Sequence, residues 1–311
     1  MRTLLIFPPQ WNPFHIYGSL PSLQSYLKQR GEAPYLCDAN INFYNFLLSN
    51  DFRQIAIARV ERLLQATASD GSRRDNMGSA REILLHGEEF VRVINTIRDR
   101  EIFENIHKRR EVLAKWDTYL DAISTLYPPL KLTYRGLKIP DLNVDLESII
   151  RFCTSGDDNL FKVYYTHSLR QHVQAVNPDI IGLSVVGLEQ VIPSLTLCIL
   201  LKADFPSSHL TVGGGVFSAY LESTNEYNSL MGTLLDSIIL GPGGKPLYEL
   251  IQALRSTTSL GNIPKLLFKS EAGTLPQNKI GSEDEDQLPE PDYSGLELSA
   301  YFHYDPTKSS S

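Results

Sequence analysis

Glycines, rather than paired acids and bases, carry the chemistry that this chain can offer. Three glycine-bearing turns follow short apolar runs: Ser184–Glu189 after DIIGLSVV, Gly213–Ser218 after HLTV, and Gly241–Gly244 after SIIL. A fourth loop, Pro8–Ser19, follows the opening run TLLIF. Glycine lets backbone come close to a bulky ligand, and amides at helix starts can meet polar or anionic substituents. One such turn needs no explanation beyond tight geometry. Three at equivalent positions point to a bound cofactor. The first loop adds Trp11, Phe14, His15 and Tyr17, which either pack over a large planar ligand or form a local hydrophobic cap. His15 offers a metal ligand or a hydrogen bond, although a lone loop histidine is commonly an ordinary polar contact.

Several other chemistries are excluded. PPQWNP stands where a dinucleotide fingerprint GxGxxG would follow the first strand, and in GPGGKP the residue after the lysine is Pro246, where a phosphate-binding loop needs Ser or Thr. Neither GxSxG nor HExxH occurs. Cys37, Cys153 and Cys198 are the only cysteines, too few and too scattered for a disulfide framework or a CxxC-type metal site. Reduced thiols in a cytosol are the expectation. The net charge of −7 argues against nucleic acid or an anionic membrane as partner, since both need a basic surface. The apolar start MRTLLIF stops at Pro8 and Pro9, short of a signal peptide or membrane span. A soluble, cytoplasmic, globular protein is expected.

Short apolar runs ending in turn residues read as buried parallel strands with helices on both faces. They are Thr3–Phe7, Pro34–Cys37, Asp179–Val186, His209–Val212 and Ser237–Leu240. Helices are expected over Leu20–Gln29, closed by Gly31, over Gln190–Ala203 and over Lys245–Leu254. This rhythm predicts an α/β fold, a doubly wound parallel five-stranded sheet. Between strands two and three lies a large helical insertion, about residues 43–172, with helical spacing from Phe43 to Trp116 and a loop at Ala68–Ser79. The basic tract His107–Arg110 is flanked by Glu101, Glu104 and Glu111 at helix spacing and reads as a solvated helix face. After Leu254 come a hairpin, IPKLLFKSEAGTL, the acidic run Gly281–Asp286 and LPEPDYSGLEL, whose composition suggests an exposed linker. The division is residues 1–256 for the sheet domain and 257–311 for hairpin plus linker.

The runs LLIFPPQWNPFHIYGSLPSLQSYLKQRG, NPDIIGLSVVGLEQVIPSLTLCILLKADFPSSHLTVGGGVFS and DSIILGPGGKPLYELIQAL, in this order, resemble the N-terminal cobalamin-binding region of cobalamin-dependent radical SAM proteins. The resemblance spans most of residues 1–300. It implies a flavodoxin-like fold with the corrin ring over the strand C-termini, and with it metal-ion binding through cobalt. Carried over, Pro9, Gln10, Trp11, Asn12 and Pro13 match the loop near the upper part of the cofactor. Ser184, Val185 and Val186 match the loop after the third strand. Gly213, Gly214 and Gly215 match the turn along the nucleotide tail, and Gly241 and Gly243 match the family's GEGE turn. Pro242 and Gly244 replace the two glutamates of that turn, and the DxHxxG motif that supplies a lower histidine ligand is missing. The resemblance therefore implies a base-off cofactor without an imidazole ligand.

A radical SAM domain needs CxxxCxxC for its 4Fe-4S cluster, and the three cysteines lack that spacing. The 4Fe-4S cluster and SAM belong to a domain absent from this sequence, so no catalytic residue is assigned. The expectation is a cobalamin-binding module of a truncated or split protein, methyltransferase-type in the intact assembly, with a separate radical SAM chain as a partner. The alternatives are a degenerate α/β interaction module and a nucleotide-binding transferase using the same crevice.

Overall fold

A computed structural model describes residues 1–66, 71–140, 142, 145–154, 156, 159–216, 230–232, 234–269 and 289–302. Strand β1 (Thr3–Phe7) is buried at every position, so it lies in the middle of the sheet rather than at an edge. Helix α1 (Ser19–Lys28) follows, and Gly31 takes a positive φ of 81° where the chain turns back. Strand β2 (Tyr35–Asp38) pairs in parallel with β1. Its last residue, Asp38, caps helix α2 (Ala39–Leu47) by accepting from the Ile41 amide.

Helices α3 (Asn50–Ala66), α4 (Gly71–Leu85), α5 (Gly87–Asn95), α6 (Arg100–Glu104) and α7 (Ile106–Leu126) continue the chain. A small antiparallel hairpin, β3 (Lys131–Thr133) and β4 (Gly136–Lys138), precedes α8 (Leu146–Thr154), α9 (Leu160–Tyr164) and α10 (Arg170–Val176). The chain then returns through Asn177, in the left-handed region at φ 47°, and Pro178 into β5 (Ile180–Ser184). Helix α11 (Val191–Asp204), β6 (His209–Gly213), β7 (Ser237–Ile239), α12 (Gly244–Ser256) and β8 (Leu266–Phe268) complete the described elements.

The main sheet has six strands in the order β2-β1-β5-β6-β7-β8. All neighbours are parallel except β7 and β8. The five-stranded expectation is thus corrected to six: Leu266–Phe268, expected as one limb of a local hairpin, instead joins β7 as an antiparallel edge. The other limb of that hairpin and the acidic run Gly281–Asp286 lie outside the described residues. One core face of the sheet packs against the helical stretch through residues such as Leu4, Ile6 and Ile181, and the other packs under α1 and α12 through Leu5, Phe7 and Ile180.

Two further expectations change. The expected loop Ala68–Ser79 is helical from Gly71, because Met77, Ala80 and Leu84 return to one face and bury it. The acidic residues beside His107–Arg110 come partly from another element: Glu101 and Glu104 lie on α6, Lys108 pairs with Glu101, and Arg109 donates to the Phe103 carbonyl at 2.8 Å. The proline-bearing stretch is mostly exposed over its described part, residues 289–298, as its composition suggests, and the chain is buried only just beyond it, at Tyr301 and Phe302, 2% and 0% exposed. Among the described residues no helix is long and apolar enough to cross a membrane.

Candidate functional site

A cavity of about 580 Å³ opens at the C-terminal ends of β5, β6 and β7, within the roughly 300–1,000 Å³ of small-molecule sites. It continues down one face of the sheet between α1 and α12, over a floor of Leu5, Gly182, Thr211 and Ile239. Ligands of open α/β sheets sit in this crevice beyond the strand ends. The floor exists because Gly182 carries no side chain, since a Cβ there would come within 3.1 Å of Leu5 and 3.6 Å of Thr211. Leu20, Leu23, Tyr26 and Leu247 supply apolar walls.

Both helices point their N-termini at this space. Gly18 and Ser19 begin α1, Gly243 and Gly244 begin α12, all four line the cavity, and no side chain caps either helix. Amides at such ends carry partial positive charge and favour acceptors. The Ser19 hydroxyl is buried there, with no hydrogen-bond partner.

Of the residues expected from sequence, Ser184, Val186, Gly213, Gly214, Gly215, Gly241 and Gly243 line the cavity together. Val185 stands behind them, fully buried, its amide donating to the Gly213 carbonyl at 2.8 Å. Gly214 has φ 116°, and a Cβ on it would run into the Val185 carbonyl, so this turn is open to glycine alone. Pro242 and Gly244 also line the cavity.

Pro9, Gln10, Trp11, Asn12 and Pro13 are not among the lining residues. Their loop is held from behind. Gln10 is 1% exposed and accepts from the Tyr44 hydroxyl at 3.2 Å. The Trp11 amide donates to Asn40 Oδ1 at 2.8 Å, Asn12 accepts from the Phe14 amide, and the Pro13 carbonyl accepts from the Phe302 amide at 3.3 Å. Trp11 and Tyr17 stand edge to face at 5.3 Å, with Phe7 stacked on Tyr17 at 5.4 Å, so Tyr17 carries this cluster to the cavity wall. Phe14 turns away into a second cluster with Phe103, Trp116 and Tyr134. His15 is exposed.

Sequence reasoning missed Gln190, which is fully buried. Its carboxamide oxygen accepts from the amides of Val186 and Gly187, and its nitrogen donates to the Pro8 carbonyl at 2.7 Å. This one side chain therefore ties the loop after β5 to the loop after β1. A polar residue three places after the glycine of SVVGLEQ was the available signal. The groove floor at Gly182 was also missed, because strand ends do not reveal a glycine inside a strand.

A second polar cluster lies below the floor. His209 Nε2 is 2.8 Å from Ser237 Oγ, which donates to Thr211 Oγ1 at 2.9 Å. Asp236 stands nearby, yet its carboxylate takes Lys202 and the Leu210 amide, and Ser237 is fully buried. The group is a support for Thr211 rather than a nucleophile and base. Burial holds the imidazole down at about 4. The three cysteines are buried, and desolvation pushes the Cys37 thiol up to about 12 and Cys153 to about 11, so neither is a reactive thiolate. Among the described residues no three His, Cys, Asp or Glu side chains gather where they could hold a metal ion.

No protein-family model matches the chain, and no curated protein matches its sequence. Solved structures similar to it are cobalamin-dependent radical SAM enzymes. One is the cobalamin-dependent S-adenosylmethionine radical enzyme OxsB with aqua-cobalamin and S-adenosylmethionine bound, at 23% identity and a TM-score of 0.35, over 40% of this chain and 17% of that one. Another is the radical S-adenosylmethionine methyltransferase TsrM from Kitasatospora setae with cobalamin and a 4Fe-4S cluster bound, at 12% identity and a TM-score of 0.38, over 94% of this chain and 31% of that one. The chain thus spans between 17% and 31% of the length of these enzymes.

Proposed function

We propose that this chain is a cobalamin-binding module with a flavodoxin-like sheet, interrupted by a helical insertion over about residues 43–172. The carrying observation is the cavity itself. Its mouth is lined by Gly213, Gly214, Gly241 and Gly243, and behind the mouth an apolar groove runs over Gly182. A broad, flat ring bearing a long tail asks for such a shape: side-chain-free backbone at the mouth and a narrow slot behind. The residues present fit that group. The floor at Gly182 is bare of side chain, and the orphaned Ser19 hydroxyl with two helix N-termini awaits acceptors.

Bound cobalamin would supply a cobalt centre able to carry a methyl group. The chain's own residues would bind and orient it: glycine amides and Ser184 at the mouth, Ser19 beside the α1 N-terminus, and Leu5, Leu23 and Leu247 excluding water from the groove. The cofactor is taken as base-off, with no protein imidazole below cobalt. Residues 1–256 with the edge strand Leu266–Phe268 form the module, and the rest of 257–311 leads toward a radical SAM domain that carries the 4Fe-4S cluster and SAM, methyltransferase-type in the whole assembly.

The test is the visible spectrum after incubation with hydroxocobalamin and desalting. Corrin bands retained at about one equivalent are expected. A folded but colourless protein, stabilised by nucleotide in thermal unfolding, would overturn the reading in favour of a nucleotide-binding transferase on the same helix ends.

A further inference from the structure

The segment 289–302 is held to the domain more firmly than its sequence suggests, and its grip converges on one place. Asp292 pairs with Lys28, and its amide donates to the Pro21 carbonyl on α1. Seven to nine residues later the Arg98 guanidinium donates to the carbonyls of Ser299 and Tyr301, each at 2.7 Å, and to that of Ala300 at 3.2 Å. The same guanidinium lies 4.4 Å over the Phe302 ring. Asn45 holds the Ala300 carbonyl from the other side at 3.1 Å. Three consecutive carbonyls are thus fixed by side chains of the helical stretch, and two aromatic side chains are sunk beside them.

Those two side chains lead to the loop at the cavity mouth. The Tyr301 hydroxyl donates to the Asp38 carboxylate, the cap of α2. Two residues on, Asn40 accepts the Trp11 amide. Phe302 donates its amide to the Pro13 carbonyl, and its ring lies 4.6 Å from Trp116, which faces Phe14 at 5.7 Å. The loop is therefore gripped at Trp11, Pro13 and Phe14 from this side, and at Pro8 by Gln190 from the other. Trp11 in turn stands against Tyr17 and closes over Gly187, where a Cβ would meet its ring at 3.0 Å. Neither Tyr301 nor Phe302 lines the cavity.

We propose that Tyr301 and Phe302 are positioning residues for the cavity: docking of the 289–302 strap fixes the Pro8–Gly18 loop, and strap docking and cavity occupancy are coupled. An aromatic anchor buries a large rigid area at little entropic cost. A loop with few regular backbone hydrogen bonds of its own opens locally unless tied from outside. Coupling is reciprocal, so a ligand seated against the ordered loop also tightens the strap.

The experiment is amide hydrogen exchange on the full chain, comparing the parent with Phe302→Ala, Phe302→Leu and Tyr301→Phe, without and with hydroxocobalamin. Phe302→Ala is expected to speed exchange in residues 8–19 by about tenfold or more while amides of β1, β5 and β6 keep their protection. Phe302→Leu should restore most of that protection, and Tyr301→Phe should show a smaller rise. Hydroxocobalamin should slow exchange in 289–302 of the parent. An increase confined to 299–302, or one shared equally by loop and sheet, would overturn the proposal, because it would mark Phe302 as a core filler alone. The loop measurement is made on the ligand-free chain, so it decides the positioning role even if hydroxocobalamin is not retained and the cobalamin reading falls.

Discussion

Three alanine substitutions in the glycine turns should separate by more than an order of magnitude in unfolding equilibrium. Gly215 has no atom within 4 Å of an added Cβ and an ordinary φ, so Gly215→Ala should be neutral or stabilise by about 0.4–1 kcal/mol through the unfolded chain. Gly241 has φ 69°, with its nearest neighbour the end of the Lys265 side chain at 3.8 Å. Gly241→Ala then costs only the left-handed conformation, about 1–2 kcal/mol. Gly214 combines φ 116° with overlap against the Val185 backbone, including its carbonyl carbon at 2.7 Å. Backbone strain of about 1–3 kcal/mol adds to the loss of the Val185–Gly213 hydrogen bond as the strands part, for a total of about 4 kcal/mol. Urea unfolding followed by circular dichroism measures all three, with the slope checked for constancy. A Gly214→Ala variant within about 1 kcal/mol of Gly215→Ala would refute the reasoning, since the turn after β6 could not then lie against Val185.

Two pH dependences follow from buried groups. His209 has its folded-state value depressed by burial from 6.5 to about 4, so the unfolded chain takes up a proton before the folded one does. Relative to His209→Gln, the parent should keep its stability above 6.5 and lose up to a few kcal/mol as pH falls toward about 4, read as urea midpoints across that range. Asp38 goes the other way: burial raises its carboxyl, against the Tyr301 and Ile41 hydrogen bonds that lower it. Folded protein binds this proton more readily, so Asp38→Asn, which keeps the cap, should gain on the parent at neutral pH, with the gap closing on acidification below the usual carboxylate range; a pH-independent gap would contradict the assignment.

The strands were legible because five of them are short apolar runs, four of these buried on both faces, a pattern that survives any uncertainty about helices. β8 escaped because LLF reads equally as a hairpin limb, and only its pairing with β7 distinguishes the two. Helix α4 was hidden by a polar sequence whose three buried residues, Met77, Ala80 and Leu84, matter only once α3 and α7 exist to receive them. At the site, the glycines at strand ends announced themselves through position. Gln190 did not, because a single buried carboxamide that bridges two loops leaves no periodic trace. How firmly the strap is tied was hidden for a similar reason. Proline-bearing composition spoke for solvent, in agreement with residues 289–298, whereas Tyr301 and Phe302 just beyond them and one arginine far away in sequence, Arg98, decide where the strap is held.

The course of that strap also bears on how the molecule behaves in a crowd. β2 is the outer strand of the sheet, with β1 as its one neighbour, and a bare border of this kind invites a strand from another copy. Gly295 lies against Leu36 and Tyr301 reaches Asp38, so the strap touches β2 at two points while Tyr35 at its start stays exposed. The opposite border, β8, is three residues long and bracketed by Lys265 and Lys269. A chain cut before residue 289 would uncover β2 at these points and empty the core sites of Tyr301 and Phe302, so concentration-dependent self-association should accompany its lower stability.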